Sequence, residues 1–582
     1  MPVRIGVDFG TTYTVVSRIE NGEPKVIEFG NDYGVRNAVE SVVAITPGGK
    51  VLIGKEAAEA CEKGVKIFKG FKMLLESPRE TWPAEYSEEY TPERIMNIFF
   101  EELFRKVKRI DMTIDSFESV TVGIPNVWTK NGNDTRKRKV FEAVKKAAGA
   151  KTVCFCEEPK LAAAAIINAI NKKRRIRNKD PFTGYIFVID YGGGTLDLSL
   201  CRAETDKDTG KTVLTIVGPG WGRGENTEGK IGDAGLSYME SLADILLKDN
   251  GFDSVEKNAE YHRFVKDVEN AVIKCKPALE GIVGKKEKYL RPSNPEYNAE
   301  LPEIYYANFR RKGCYFKVRE LWESYGRIEQ ALRATLKEAE QYMIDNGIDF
   351  RDTTKGTFKI AMVGGFCNYL MNEYLIKQTD LWCRGMGAFD ARYNEFEEFG
   401  TDKMRLTAVA DGATLEVNDI IKIEKQFPYS LFVYPNSRED KPKPLFLRYD
   451  VYRAGEPVFF GNRDMNGRIV PISVGGKSIP WISRGIGGAD EMKTEPKKPA
   501  ETMDLYGQYH GTKYLAVAME EDGRLTLYLY SDEKYDRLTA EEKADRNNSA
   551  LLGKTGLPDI DTLYAFGQTD TASDDQRRKN DV

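Results

Sequence analysis

Alternation and periodicity divide the chain into two regions of different texture. The stretch Tyr185–Leu200 sets the pattern of the first. Its apolar run reads as a buried strand that stops at Asp190; Gly192, Gly193 and Gly194 predict a turn, and Leu196, Leu198 and Leu200 alternate as a second strand. The N-terminus repeats this design: a strand from Val3 to Val7 ends at Asp8, Gly10, Thr11 and Thr12 turn, and Tyr13 to Val16 return. Residues 15–53 alternate with turns at Asn21-Gly22 and Gly48-Gly49, predicting a meander of strands. Helices are predicted over 55–75, 92–109, 135–148, 236–246, 263–280 and 326–345. The last carries Ile328, Leu332, Leu336, Ala339 and Met343 on one stripe, a core-packing pattern. Ser119–Ile124 and Phe358–Val363 read as strands, the second running into Gly364-Gly365 and a helix. Pro159 suits the first turn of a helix, where its missing N–H costs nothing.

From Ile420 the texture changes. Tyr429–Tyr434, Leu445–Val451, Val458–Phe460 and Ile469–Val474 are β-type runs split by Pro, Gly and Asn. Residues 484–503 read as a linker or long loop, and Tyr514–Met519 and Leu525–Tyr530 as a hairpin joined at Asp522-Gly523. The last ten or so residues are polar and expected to be disordered. The chain is therefore expected to be α/β in two similar lobes over residues 1–415, with a smaller β-rich domain over 416–582.

At 582 residues, with 30% charged and 41% hydrophobic positions, the composition fits a soluble protein of two or more domains. A net charge of −4 suggests no nucleic-acid partner. No apolar run reaches the ~20 residues that span a bilayer, so no membrane partner is expected. The early strand at Val3 leaves no room for a signal peptide, which predicts a cytoplasmic protein. The eight Cys, including Cys154-x-Cys156, Cys314 and Cys367, lack metal-ligand spacing and read as reduced thiols. His262 and His510 are the only histidines, which argues against a His-based centre. A basic run over 172–177, Lys-Lys-Arg-Arg-Ile-Arg, is read as an exposed loop that is solvated or meets an acidic partner.

The repeated hairpin carries the chemistry. Glycines let backbone approach a ligand, and successive N–H groups in such a turn form an anion-binding concavity. Two such turns facing one cleft would hold a polyphosphate from both sides. Asp8 and Asp190 would then orient one hydrated Mg2+, an ion that keeps several waters and few protein ligands. Gly364-Gly365 would let a base or ribose pack on backbone, and an acidic residue beside Pro159 would point into the cleft.

These pieces in this order resemble the actin-like ATPase superfamily, and within it the 70 kDa heat-shock chaperones. The resemblance rests on Ile5-Gly6-Val7-Asp8-Phe9-Gly10-Thr11-Thr12-Tyr13, Asn31-Asp32-x-Gly34-x-Arg36, Val122-Gly123-Ile124-Pro125, Glu158-Pro159, Asp190 to Asp197, and Val363-Gly364-Gly365. It covers residues 1 to about 415. Gly364-Gly365-Phe366 and Trp128 look more like a divergent branch of the family. The resemblance implies a duplicated ribonuclease H-like fold that binds ATP or ADP with Mg2+. It implies Lys72, Glu158, Thr195 and Asp190 as the catalytic set, and Asp8 with Asp190 for the metal. Gly10, Thr11, Thr12, Tyr13, Gly192, Gly193, Gly194, Gly232, Lys276, Gly364 and Gly365 would hold the nucleotide. Lys72 would bridge the γ-phosphate and the attacking water; its bland alternative is a solvated face shared with Lys66 and Lys69. Pro125 and Arg138 match a pair that relays nucleotide state, across a longer intervening segment.

Several positions depart from the family. Only the first glycine of a Gly-Gly turn is kept, at Gly232; Ile273 replaces an acidic residue, and Phe366 and Asn368 replace a Ser and an Arg beside the base. Asn418–Lys422 only faintly echoes the family's interdomain linker, and no long helical lid pattern follows the strands. The C-terminal region is therefore either a peptide-binding β-domain or an accessory domain. By resemblance the partners are a client protein or peptide and co-chaperone-like regulators. Three functions stay open: an ATPase coupled to protein binding, a non-hydrolysing nucleotide sensor, and a small-molecule kinase with Asp197 as base.

Overall fold

The computed structural model describes residues 2–30, 37–60, 63–126, 128, 134–206, 211–218, 220–223, 234–256, 260–261, 263–272, 306–315, 317–345, 347, 357–365, 394–397, 402–426, 430–434, 443–446, 451–452, 455–459, 465, 469–474, 481–485, 511–520 and 525–556. Two compact units emerge. The first holds residues 1–127, 143–152 and 156–423; the second holds 128–142, 153–155 and 424–582.

The first unit is built on two sheets that share one plan. In one, Glu23–Val26, Tyr13–Glu20, Pro2–Phe9 and Ser116–Ile124 lie in that order, with Val39–Glu40 also paired to the second of these strands. In the other, Asn394–Glu397, Thr357–Val363, Gly184–Tyr191, Leu196–Thr205, Thr212–Ile216 and Ile421–Ile423 follow one another, and Trp221–Arg223 pairs with Leu196–Thr205. Each sheet centres on a strand whose next-to-last residue is an Asp. That strand pairs antiparallel with its hairpin partner and parallel with a strand from farther along the chain. The chain is thus α/β and two-lobed, with the duplicated ribonuclease H-like plan of actin-like ATPases, and a β-rich region follows.

Two helices join the layers. Glu158–Ile176 is buried at every position from Glu158 to Ile167 and packs on the second sheet. Asp402–Val417 packs on the first. They cross where Gly412 lies against Leu161: a Cβ added at Gly412 would stand 1.8 Å from the Leu161 carbonyl oxygen. The run Ala162–Ala165 keeps that crossing narrow. Hydrogen bonds fix Asp402–Val417 to the first sheet, from Ser17 Oγ to Asp411 Oδ1 (2.8 Å), Gly6 N to Thr414 Oγ1 (3.1 Å) and Thr121 Oγ1 to Glu416 Oε2 (2.6 Å). Asp411-Gly412-Ala413 lies inside this helix.

The helix expected over 55–75 is not there. One helical turn, Lys55–Ala58, is followed by a strand, Lys66–Lys69, paired with Val42–Ile45. Gly64 and Gly70 sit at φ +85° and +68°, values that suit glycine and interrupt a helix. The basic run 172–177 also differs from expectation. It forms the last turn of Glu158–Ile176 rather than a loop, because cations stabilise a helix C-terminus. Pro92–Ile110, Asp134–Ala148, Gly235–Asp249 and Val318–Asp345 are helices as their periodicity predicts. Residues 263–272 are helical, and the rest of that predicted helix lies outside the described residues.

In the second unit, Gly511–Met519 pairs with Val458–Phe459, Ile472–Val474 and Leu525–Ser531, and the last of these pairs with Leu551–Gly556. Tyr514, Tyr528, Tyr530 and Tyr535 form its core with Ala516, Ala518 and Ala550. Ser430–Tyr434 pairs with Lys443–Phe446 and Trp481–Gly485. Asp532–Asp536 and Ala540–Ala544 are single-turn helices, the latter closed by a capping box between Thr539 and Glu542. Asp522-Gly523, most of 484–503 and the final residues lie outside the described residues.

Candidate functional site

The two hairpin turns meet. A Cβ on Gly194 would stand 2.5 Å from Thr11 Oγ1 and 3.2 Å from Met73 Sδ. The turn of the second hairpin thus touches both the turn of the first and the segment that carries Lys72. Gly10 and Gly192 do a different job, letting each turn close on itself. Their Cβ atoms would strike the carbonyls of Tyr13 (2.3 Å) and Thr195 (3.0 Å), and Gly192 N donates to Thr195 O at 2.9 Å. Ser41 braces the first turn from behind: its N donates to Thr12 O and its Oγ to Gly10 O. Thr12 Oγ1 is buried with no hydrogen-bond partner among the described residues.

Lys72 is placed by its apolar neighbours. Phe71, Leu74 and Leu75 are buried, and Phe71 packs against Phe9 and Phe99, while Phe9 packs against Phe100 at 4.7 Å between centroids. Those rings anchor the turn on the helix Pro92–Ile110, which leaves Lys72 facing inward at 3% exposure. Its Nζ donates to Phe9 O at 2.5 Å and to Glu158 Oε1 at 2.9 Å. The solvated-face reading of Lys72 is therefore incorrect. Glu158 begins its helix with Pro159 in the first turn, and its Cγ lies 3.2 Å from where a Gly123 Cβ would be. Gly123 is the parallel partner of Asp8, so the glycine leaves room for Glu158 beside that carboxylate.

Asp190 sits opposite Asp197 in the hairpin register. Asn126, immediately after Pro125, donates its backbone N–H to Asp197 Oδ1 at 3.0 Å. Its side-chain amide donates to Leu198 O at 2.9 Å. Thr195 hydrogen-bonds to the same carboxylate. Gly364 (φ +105°) backs the end of the strand, where a Cβ would fall 2.3 Å from Tyr191 O and 2.5 Å from Asp190 Oδ1.

Four carboxyls, those of Asp8, Glu158, Asp190 and Asp197, thus share one site with the ammonium of Lys72. The electrostatics follow. Burial, then the Glu158 charge, pushes Asp8 up to about 8 against the opposing pull of Lys72. Burial and Glu158 push Asp197 up to about 8 as well, with the Thr195 and Asn126 hydrogen bonds opposing. Asp190 is raised by burial, then by Glu158, Asp8 and Asp197. Burial and mutual repulsion thus favour the protonated form of these carboxyls.

The residues fit a hydrated divalent ion and a phosphate chain. Carboxylate oxygens suit a hard cation, and two buried oxygens, Thr12 Oγ1 and Asp197 Oδ2, have no partner among the described residues. No group of three or more His, Cys, Asp or Glu forms a direct ligand set among the described residues.

Tyr13 turns elsewhere. Its hydroxyl donates to Glu269 Oε1 at 3.4 Å, and Lys266 links Glu269 (3.1 Å) with Glu40 (3.6 Å), tying the first hairpin to the helical segment 263–272. Burial, then Glu269, raises the Tyr13 phenol above its ordinary range. Thr11, Thr12, Gly192, Gly193 and Thr195 lie on the converging turns, and Gly365 follows the strand Thr357–Val363. Gly232, Lys276, Ile273, Phe366, Asn368 and Asn31–Arg36 lie outside the described residues. Sequence reasoning missed Ser41 and Asn126, and gave Asp197 no role in this carboxylate group. The available signal was Asn126 following Pro125 at a strand end, and Asp197 completing an Asp-Tyr-Gly-Gly-Gly-Thr-Leu-Asp hairpin.

No protein-family model matches the chain. It is 29% identical over 209 residues to the chaperone protein DnaK of Metamycoplasma hominis, a match covering 34% of this chain and 30% of that protein. It is 27% identical over 199 residues to the chaperone protein DnaK of Mycoplasmopsis agalactiae, covering 34% and 29%. The match spans less than a third of either relative. No helix among the described residues is long and apolar enough to cross a membrane. Over about a third of its length, then, the chain is similar to 70 kDa heat-shock chaperones.

Proposed function

We propose that residues 1–415 bind ATP with Mg2+ and hydrolyse it, and that nucleotide state is coupled to protein binding as in 70 kDa heat-shock chaperones. One observation carries this reading: four carboxyls and one ammonium are gathered beneath two facing glycine turns. Such a site lacks positive charge and offers backbone to an anion, a combination that suits a metal–polyphosphate.

In this reading Asp8 and Asp190 would hold the hydrated ion, with Glu158 beside them as an acceptor for its hydration. Gly10, Thr11, Thr12, Gly192, Gly193 and Gly194 cradle the phosphates, while Tyr13 ties the first hairpin to the segment 263–272. Mg2+ supplies charge neutralisation and orientation of the phosphate chain. Thr195 positions the terminal phosphate and the attacking water, and Lys72, pinned by Phe9 and Glu158, stabilises negative charge that develops in transfer. Gly364 and Gly365, with Gly232 and Lys276, complete the nucleotide site. Lobe closure would transmit the nucleotide state. The partners would be a client protein or peptide and co-chaperone-like regulators, in the cytoplasm.

A second reading, a nucleotide sensor without turnover, is motivated by Lys72 being engaged in a buried ion pair. A small-molecule kinase has less support, because its general base must be open to a second substrate and Asp197 is 1% exposed beneath Asn126. A single-turnover assay with radiolabelled ATP separates the first two. Hydrolysis in the parent, abolished in Lys72→Ala with binding retained, supports the ATPase; binding without hydrolysis in the parent refutes it in favour of the sensor.

A further inference from the structure

The far end of the helix that starts at Glu158 is an unusual surface. Six of the eight residues from 172 to 179 are Lys or Arg. Helix capping accounts for part of this. Arg174 Nε donates to Asp180 O at 2.5 Å, and Lys179 N to Arg174 O at 2.9 Å, with Asn178 at φ +50° reversing the chain. Lys172 pairs with Glu23 at 3.1 Å. Arg175, Arg177 and Lys179 have exposed side chains that make no ion pair among the described residues. Ile176 stands among them at 77% exposure.

Neither feature serves the fold. One or two cations satisfy the dipole of a helix C-terminus, and like charges spaced three or four apart repel. An apolar side chain ringed by cations gains nothing from solvent.

We propose that this tip, centred on Ile176, docks an acidic, apolar-containing segment of a partner protein. Arg175, Arg177 and Lys179 take its carboxylates, and Ile176 takes an apolar side chain between them. Charge complementarity sets the sign of the partner, and the neighbouring surface limits its size. Glu20 and Glu23 flank the tip on the edge strand side, and Glu204 lies one residue from Thr205, which Asn171 contacts. These acidic borders repel an extended polyanion, so a short peptide fits better than a duplex or a membrane surface.

The test is fluorescence-anisotropy titration of the full chain with a labelled twelve-residue peptide alternating Glu and Leu. A Glu-Gly peptide, phosphatidylserine vesicles and a single-stranded RNA oligomer are run alongside. The Glu-Leu peptide is expected to bind most tightly. Replacing Arg175, Arg177 and Lys179 together by Gln should weaken it about tenfold and flatten its salt dependence. Ile176→Ser should weaken it about tenfold while leaving the salt slope unchanged. Absence of Glu-Leu binding at low salt, equal binding of the Glu-Gly peptide with no effect of Ile176→Ser, or tighter binding of vesicles or RNA would each overturn the proposal.

Discussion

If Mg-ATP enters the site proposed here, it must displace protons. Asp8 and Asp197 are each pushed up to about 8, chiefly by burial and then by Glu158. A carboxyl with that value is about nine-tenths protonated at pH 7. A divalent ion favours the charged form of each carboxyl near it, so binding should release about one to two protons per molecule at pH 7. The share from Asp8 and Asp197 should fall near pH 9, where those two carboxyls are mostly ionised. Isothermal titration calorimetry of Mg-ATP in two buffers of different ionisation enthalpy reads this number directly. Stability carries the converse signature. The native state keeps protons that the unfolded chain has lost, so the ligand-free protein loses stability as pH rises from about 4 to about 8, by up to about 1.4 kcal/mol per pH unit for each such group. Heat that does not depend on buffer at pH 7, or net proton uptake, would refute the charge assignment.

Three further outcomes are expected. Gly194→Ala should weaken ATP binding by about tenfold or more in an equilibrium titration, since its Cβ would strike Thr11 where the turns meet. Gly412→Ala should lower the unfolding free energy of the first unit by about 1–3 kcal/mol, read as a lower urea midpoint; overpacking against the Leu161 backbone outweighs the gain of about 1 kcal/mol in helix propensity. Lys266→Ala should cost about 1–3 kcal/mol, because it leaves the buried Glu269 carboxylate with one partner fewer, and should raise amide exchange in residues 263–272, read by mass spectrometry.

The parts of the site legible in sequence are those written within one short stretch. Each hairpin carries its Asp, glycines and Thr together, so its strand, turn and carboxylate are visible without knowledge of the rest. Lys72 shows the limit. Its apolar neighbours suggested a helix, and only the tertiary fit of Phe71 against Phe9 and Phe99, with Gly64 and Gly70 interrupting the backbone, sets the turn that aims it inward. Asn126 and Asp197 lie far apart in sequence, and their hydrogen bond exists only because a strand from each sheet ends at the same place. In the second unit, alternation marks Ser430–Tyr434, Val458–Phe459, Gly511–Met519 and Leu525–Ser531 but neither Trp481–Gly485 nor Leu551–Gly556, and the pairing of Ile472–Val474 with Gly511–Met519 depends on long-range register that no local pattern encodes. The basic stretch reads as a loop from its charge and its place before a strand, whereas the helix begun at Glu158 carries on to Ile176.

The contact at Gly412 bears on how the two sheets move. Where helices interlock through side chains, changing their angle means prising ridges out of grooves. At this crossing the main chains themselves touch, with Ala162 to Ala165 alongside on one helix and Val409 and Leu415 on the other. A bearing of that kind permits swivelling at little cost in rotamers while it forbids drifting apart. Cleft opening should then be a hinge turn about one fixed axle through residues 161 and 412, with the greatest travel at the rim and almost none at the base.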